Sequence, residues 1–217
     1  MVTAALARLS PSGDEARLNA FGLSSEVIHT ALRPGVSRAS NRTSMALRST
    51  PGTDIYHDGM EQFALLLMDD GWRLVYVDQQ PRLLHPEGLI SFTLASGSTV
   101  AHSDHRQMPR TRRKGQSTRD SLAAPRTEVA ALFEIPRIQE ESKNAAAAKS
   151  APLWFLLHER TQHGLKLEFA RPSHMTDKGV VDGWEDSIEV PFLDLDGDFS
   201  AFAAPDPGDF DVAVEPL

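Results

Sequence analysis

The feature that most constrains the fold is a pair of adjacent strand patterns in the last third of the chain. Residues 152–160, PLWFLLHER, form a continuous apolar run, which is typical of a strand covered on both faces or central in its sheet. After the short turn TQHG, residues 165–171 alternate between apolar and polar side chains, so Lys166, Glu168 and Arg171 are expected on the side that meets water. The two patterns predict an antiparallel hairpin.

Helical patterns come before the strands. Ser24 or Ser25 can cap a short helix, and the breaker Pro34-Gly35 is expected to end it. A longer amphipathic pattern begins near residue 54 and is expected to close at Asp70-Gly71. We therefore expect the N-terminal part of the chain to be helical.

Extended patterns make up the rest of the predicted domain. Residues 72–96 read as a meander of two or three antiparallel strands separated by turns. A further strand follows the hairpin, with Ile188, Val190 and Phe192 expected on one side. The sequence thus predicts an α+β fold in which N-terminal helices pack on a mainly antiparallel sheet, with a long basic connecting loop between two groups of strands.

Composition divides the chain into three parts. Residues 1–20 are predicted to be a flexible lead-in, residues 21–195 a single α+β domain, and residues 196–217 an acidic tail. Within the domain, residues 97–151 lack strong periodicity and are predicted to be a mobile basic and alanine-rich connection. The alanine run in that connection also fits a helix, and both interpretations stay open.

The charge is distributed unevenly. Residues 106–126 carry seven basic residues and one acid in a chain of net charge −8, so the rest of the chain sums to −14. Such a segment attracts polyanions or acidic protein surfaces. The candidate binding residues are Arg106, Arg110, Arg112, Arg113, Lys114 and Arg119.

These cations can neutralise phosphates, which predicts a non-enzymatic accessory or binding protein that contacts nucleic acid or an acidic partner. No aromatic residue lies between Val100 and Ala131, so base stacking is not available within the segment itself. Two alternatives stay open for the segment: pairing with the acidic tail of the same chain, or a solvated loop without a ligand.

A metal-dependent hydrolase of the nuclease type is the alternative from a different functional class. Glu159 and Glu168 lie on the two predicted hairpin strands and have the chemistry to hold Mg²⁺ beside a phosphate. His102, Asp104 and His105 are the right residue types for a divalent metal, although their spacing matches no strong motif. The chain contains no GxSxG elbow and no glycine-rich nucleotide loop. We expect no cofactor and no metal site.

The remaining expectations concern compartment and assembly. The chain has no cysteine, which fits a reducing compartment, and no apolar run reaches the roughly 18 residues needed to span a bilayer. We expect a soluble cytoplasmic protein that does not bind membranes. A third functional alternative is a subunit of a larger bacterial complex.

Four stretches carry a family resemblance: GWRLVYV, PRTRRKGQST, WFLLHER and VDGWEDSIEVP. Together they resemble uncharacterised bacterial α+β proteins of similar length, of a type met around mobile or variable genome regions. The resemblance covers roughly residues 25 to 195. It implies a bacterial origin and brings no activity, cofactor or catalytic residue.

Overall fold

The computed structural model describes residues 11–104, 106–123 and 136–195 of the 217-residue chain. In chain order the described elements are α1 (Pro11–Asn19), α2 (Ser25–Ser40), α3 (Thr50–Leu66), β1 (Arg73–Val77), β2 (Gln80–Leu84), β3 (Ser91–Ser98), β4 (Arg110–Thr111), α4 (Gln116–Ala123), α5 (Pro136–Ser150), β5 (Leu153–Arg160), β6 (Gly164–Met175) and β7 (Val181–Asp194).

The strands form one seven-stranded sheet in the order β1-β2-β3-β5-β6-β7, and β4 pairs with the end of β3. All neighbouring strands run antiparallel except β3 and β5, which are parallel. The predicted α+β class, with N-terminal helices ahead of a mainly antiparallel sheet, is confirmed. The predicted meander corresponds to β1, β2 and β3, and the predicted hairpin corresponds to β5 and β6.

Both faces of the central strands are covered, because alternate residues enter two different cores. Leu156 and Phe169 pack with α1, α2 and α3 in the larger core, where the Trp154 and Phe169 rings stack with centroids 4.9 Å apart. Phe155 and Leu157 enter a smaller core on the other side. This second covering explains why β5 is apolar on both faces from Leu153 to Leu157, as its sequence indicated.

The prediction that the charged side of β6 meets water is wrong at Glu168, which is 1% exposed. Lys166 and Arg171 of the same strand are half-buried. The alternation pattern carries no information about what covers the second face. Here Val100 and Trp184 of the smaller core cover it.

The helix α2 differs from its prediction at its end. Ser24 caps it as expected, since its hydroxyl accepts a hydrogen bond from the Val27 N–H at 3.1 Å. The helix then continues through Pro34 and Gly35 to Ser40, so the predicted stop is wrong. Proline removes one backbone hydrogen bond, but the buried residues beyond it, such as Val36 and Ala39, pack in the larger core and favour continuation.

The helices α2 and α3 approach each other closely at Gly35. A Cβ atom there would lie 2.8 Å from the Ile55 Cα and 2.9 Å from the Asp54 carbonyl oxygen. We expect Gly35→Ala to lower the free energy of unfolding by about 1–2 kcal/mol, because overpacking exceeds the gain in helix propensity. Urea denaturation measures the change.

The matched control is Gly52→Ala in α3, where an added Cβ meets nothing within 4 Å. That variant is expected to be neutral or more stable by up to about 1 kcal/mol. Equal stability of the two variants would contradict the proposed close packing of α2 on α3.

A bulge in β7 changes the predicted alternation of that strand. Leu167 pairs with Val190, whereas Leu165 pairs with Leu193, so β7 has one extra residue over this stretch. Ile188 and Val190 point into the core as predicted, but Phe192 is 43% exposed and Leu193 is buried in its place. The predicted inward position of Phe192 is therefore wrong.

The stretch predicted as a connection contains three described elements: β4, α4 and α5. The alanine run lies in α5, so the helical interpretation of that run is confirmed. Part of the predicted lead-in forms α1, whose Leu18 is fully buried. The first ten residues, residues 124–135 and the predicted acidic tail lie outside the described residues.

None of the described helices is long and apolar enough to cross a membrane.

Candidate functional site

The first part of the basic segment, residues 106–126, lies against the sheet. Arg110 and Thr111 of β4 pair with the end of β3, and the Lys114 N–H donates to the Gly179 carbonyl at 2.7 Å. The Trp184 indole N–H donates to the Pro109 carbonyl at 2.8 Å. These contacts fix the positions from which the basic side chains project.

The six predicted binding residues differ in exposure. Four are exposed and two, Lys114 and Arg119, are half-buried; the exposed residues are Arg106, Arg110, Arg112 and Arg113. Among the described residues, none of the six forms an ion pair with an acidic side chain. Arg119 instead donates to the backbone carbonyls of Thr176 and Asp177.

Two arginines elsewhere in the chain, in contrast, form ion pairs with acidic side chains. Arg42 forms a two-bond ion pair with Asp54, at 2.7 and 2.8 Å, and Arg17 pairs with Asp186 at 2.5 Å. The described acidic residues therefore pair with cations elsewhere, and none of them forms an ion pair with the six predicted binding residues.

Two of these cations, Arg112 and Lys114, line a pocket of about 240 Å³. The pocket lies at the carboxyl ends of the parallel strands β3 and β5, where Ser96 is paired with His158. It also lies beside the first turns of α3. The polar lining residues are Ser49, Thr53, Tyr56, His57, Ser96, Arg112, Lys114 and His158, and no acidic residue is among the described residues that line it.

His158 is the buried polar group of this pocket. Its side chain is 3% exposed, and its Nδ1 atom has no hydrogen-bond partner among the described residues. Burial, together with the charges of Lys114 and Arg112, lowers the pKa of His158 to about 4. The imidazole is therefore neutral at pH 7.

Lys114 is shifted in the same direction. Burial and the neighbouring Arg112 lower the pKa of Lys114 to about 8. Its Nζ atom lies 5.5 Å from the centroid of the Phe155 ring, and this aromatic face partly compensates for lost water. An anion in the pocket would favour the charged form of this lysine.

An apolar groove of about 600 Å³ adjoins the pocket and shares Tyr56 and His57 with it. It runs between α3 and the hairpin of β1 and β2, and its apolar lining includes Met60, Leu65 and Leu74. Tyr76, also in its lining, is 62% exposed. The fold thus places aromatic side chains beside the basic segment, although the segment itself contains none.

The two carboxylates of the hydrolase hypothesis are brought to the same loop. The Glu159 side chain accepts from the Val100 N–H at 3.0 Å, and the Glu168 side chain accepts from the Ala101 N–H at 2.8 Å. Glu168 also accepts from the Ser187 hydroxyl. In the described structure, both carboxylates therefore accept hydrogen bonds from backbone N–H groups of the loop that follows β3.

The histidine-rich stretch makes local contacts. The His102 Nδ1 atom accepts from the Asp104 N–H at 3.1 Å, and Asp104 accepts from the Arg106 N–H at 3.0 Å. His105 lies outside the described residues. In the part of the chain that the structure describes, no three His, Asp or Glu side chains are grouped so as to hold a metal ion.

Sequence reasoning missed the pocket because its residues are far apart in the chain. His158 lies in the apolar run of β5 and shows no motif spacing. An ionisable residue that directly follows the apolar part of a central strand is the signal that could have identified it. Arg112 and Lys114 were predicted as binding residues, but their convergence with His158 depends on the pairing of β3 with β5.

Comparison of the chain with protein-family models, with curated proteins and with solved structures yields no match.

Proposed function

We propose that this protein is a non-enzymatic binding protein that engages nucleic acid through its basic segment. The observation that carries the proposal is the set of six cations, Arg106 to Arg119, without an acidic partner among the described residues. In a chain of net charge −8, such a local excess of positive charge creates a field that attracts polyanions. A cytoplasmic location remains part of this proposal.

Phosphates suit these cations better than the carboxylates of a protein partner for two reasons. The four exposed arginines present forked guanidinium groups, which bind phosphate oxygens in pairs. The neighbouring groove adds the exposed ring of Tyr76, on which a base can stack. The contacts are expected to be mainly with the sugar-phosphate backbone, so sequence preference should be weak.

The test compares two double variants of equal charge change. In Arg110→Gln/Arg113→Gln, two exposed cations of the segment are removed; in the control, Lys143→Gln/Arg160→Gln, two exposed cations are removed elsewhere. We expect the first to weaken binding of a single-stranded oligonucleotide at least tenfold at low salt. The slope of log K against the logarithm of the salt concentration should become less negative by about 1.4, since each lost phosphate contact contributes about 0.7 to the slope.

The control variant should change the affinity less than threefold. Absence of salt-sensitive binding of DNA and of RNA by the wild-type protein would refute the proposal. Binding of an acidic polypeptide such as polyglutamate in preference to both nucleic acids would assign the segment to an acidic protein partner instead.

A further inference from the structure

We infer that the pocket lined by Arg112, Lys114 and His158 is a binding site for the phosphate group of a phosphomonoester, and that the adjoining groove holds the body of that ligand. This inference goes beyond the proposed function, because the pocket would recognise one phosphate group whether it ends a nucleic acid strand or belongs to a free nucleotide.

The charge of the pocket is the first argument. Arg112 and Lys114 enter it from the basic segment, and no acidic residue is among its described lining residues. Their mutual repulsion contributes to the lowered pKa of Lys114. A bound anion removes this repulsion and supplies the missing counter-charge.

The unpartnered Nδ1 atom of His158 is the second and independent argument. A buried polar atom without a hydrogen bond is destabilising, so such atoms usually have a partner in the functional state. Because the ring is neutral, one tautomer carries a proton on Nδ1 and can donate it to a phosphate oxygen. His158 lines the pocket but its Nδ1 atom is enclosed, so a ligand there satisfies this atom once the imidazole ring rotates about its Cβ–Cγ bond.

The start of α3 is the third argument. Ser49 is the N-cap residue, and its hydroxyl makes no capping hydrogen bond. Ser49, Gly52 and Thr53 all line the pocket, and the first turn of the helix contains no acidic residue. The dipole of a helix N-terminus favours an anion at this place, and Gly52 supplies the one first-turn N–H without a described partner, because Thr50 and Thr53 donate to backbone carbonyls.

The number of donors favours phosphate over carboxylate. A guanidinium, an ammonium, an imidazole N–H and the free hydroxyl of Ser49 surround a volume of about 240 Å³. A phosphate monoester offers three terminal oxygens and up to two negative charges, which match this set better than the two oxygens of a carboxylate.

The groove indicates what the phosphate is attached to. It begins at Tyr56 and His57, which also line the pocket, and continues along Met60, Leu65 and Leu74. An aromatic or otherwise apolar body, such as a nucleoside, would bury its faces there while its phosphate stays in the pocket.

Isothermal titration calorimetry with inorganic phosphate and with adenosine monophosphate tests the inference. The wild-type protein should bind both, the nucleotide at least tenfold more tightly. Lys114→Gln should weaken both affinities at least tenfold. The control is Lys178→Gln, which removes an exposed lysine next to Gly179, the residue whose carbonyl accepts from the Lys114 N–H; it should change both affinities less than twofold.

A second measurement does not depend on any substitution. Addition of phosphate should shift the ¹⁵N resonance of His158 Nδ1, because that atom gains a hydrogen bond. No binding of either probe, an unchanged His158 signal, or equal effects of the two lysine variants would overturn the phosphate site. Equal affinities for phosphate and nucleotide would overturn the role of the groove.

Oligonucleotides with and without a 5′-phosphate distinguish the two sources. Tighter binding of the phosphorylated strand identifies a strand end as the ligand, and equal binding of the two strands identifies a free phosphomonoester. Strand binding without binding of small phosphates would overturn this inference and leave the proposed function standing. Binding of small phosphates without strand binding would overturn the proposed function and leave this inference standing.

Discussion

Replacement of Arg82 by alanine is expected to lower the free energy of unfolding by about 3 kcal/mol, measured by urea denaturation. Arg82 lies on β2 and is fully buried. Its guanidinium donates to the Gln80 side chain at 2.9 Å, to the Ser117 hydroxyl at 3.2 Å and to the Ser121 hydroxyl at 2.8 Å. Alanine would leave a cavity and remove the connection between β2 and α4.

The hydrogen-bond partners of Arg82 among the described residues are all neutral, and burial lowers the pKa of this arginine to about 10. Hydrogen bonds and packing offset part of its desolvation, while its Nη1 atom is buried without a hydrogen-bond partner among the described residues. Arg82→Met keeps most of the volume and loses the polar contacts, so its cost is expected to be about 1 kcal/mol. The difference between the two variants separates packing from hydrogen bonding.

Arg73→Ala on the neighbouring strand β1 is the control. Arg73 is exposed and makes one described side-chain hydrogen bond, to Asn144 at 2.9 Å, so its loss should cost no more than about 0.5 kcal/mol. If Arg82→Ala were as harmless as Arg73→Ala, the structural role of the buried guanidinium would be wrong.

Local patterns predicted those parts of the fold that local physics determines. The hairpin of β5 and β6 follows from an apolar run before a short turn and an alternating pattern after it, and the cap at Ser24 follows from its position before a helical pattern. The helix through Pro34 and the bulge near Phe192 could not be predicted in this way. Both are stabilised by burial against distant residues, which a local pattern does not contain.

The candidate site shows the same division. The basic residues of the segment are visible in the sequence because charge clustering is a local property. The pocket is not, because Ser96 and His158 are brought together by the parallel pairing of β3 with β5, across a long intervening stretch. Parallel pairing of distant strands leaves no short-range signal. The burial of Glu168 was missed for the same reason, since its covering residues come from other parts of the chain.

Substitution of Glu168 by alanine is the second large effect, with an expected loss of about 3 kcal/mol in the free energy of unfolding. The carboxylate is 1% exposed and accepts hydrogen bonds from the Ala101 N–H and the Ser187 hydroxyl. Thr99 and Ala101 have φ angles of 57° and 44°, in the left-handed region that is unfavourable for residues other than glycine. Glu168 thus holds a strained turn between β3 and the basic segment.

Two further variants separate this role from others. Glu168→Gln can still accept from the Ala101 N–H and can donate to the Ser187 oxygen, so its cost should be about 1 kcal/mol. Glu185→Ala removes an exposed carboxylate that pairs with Arg171 at 3.1 Å, and should cost less than about 1 kcal/mol. Equal stabilities of Glu168→Ala and Glu185→Ala would contradict the structural role. Divalent-ion-dependent cleavage of an oligonucleotide that Glu168→Gln abolishes, in a protein of unchanged stability, would instead assign this carboxylate to catalysis.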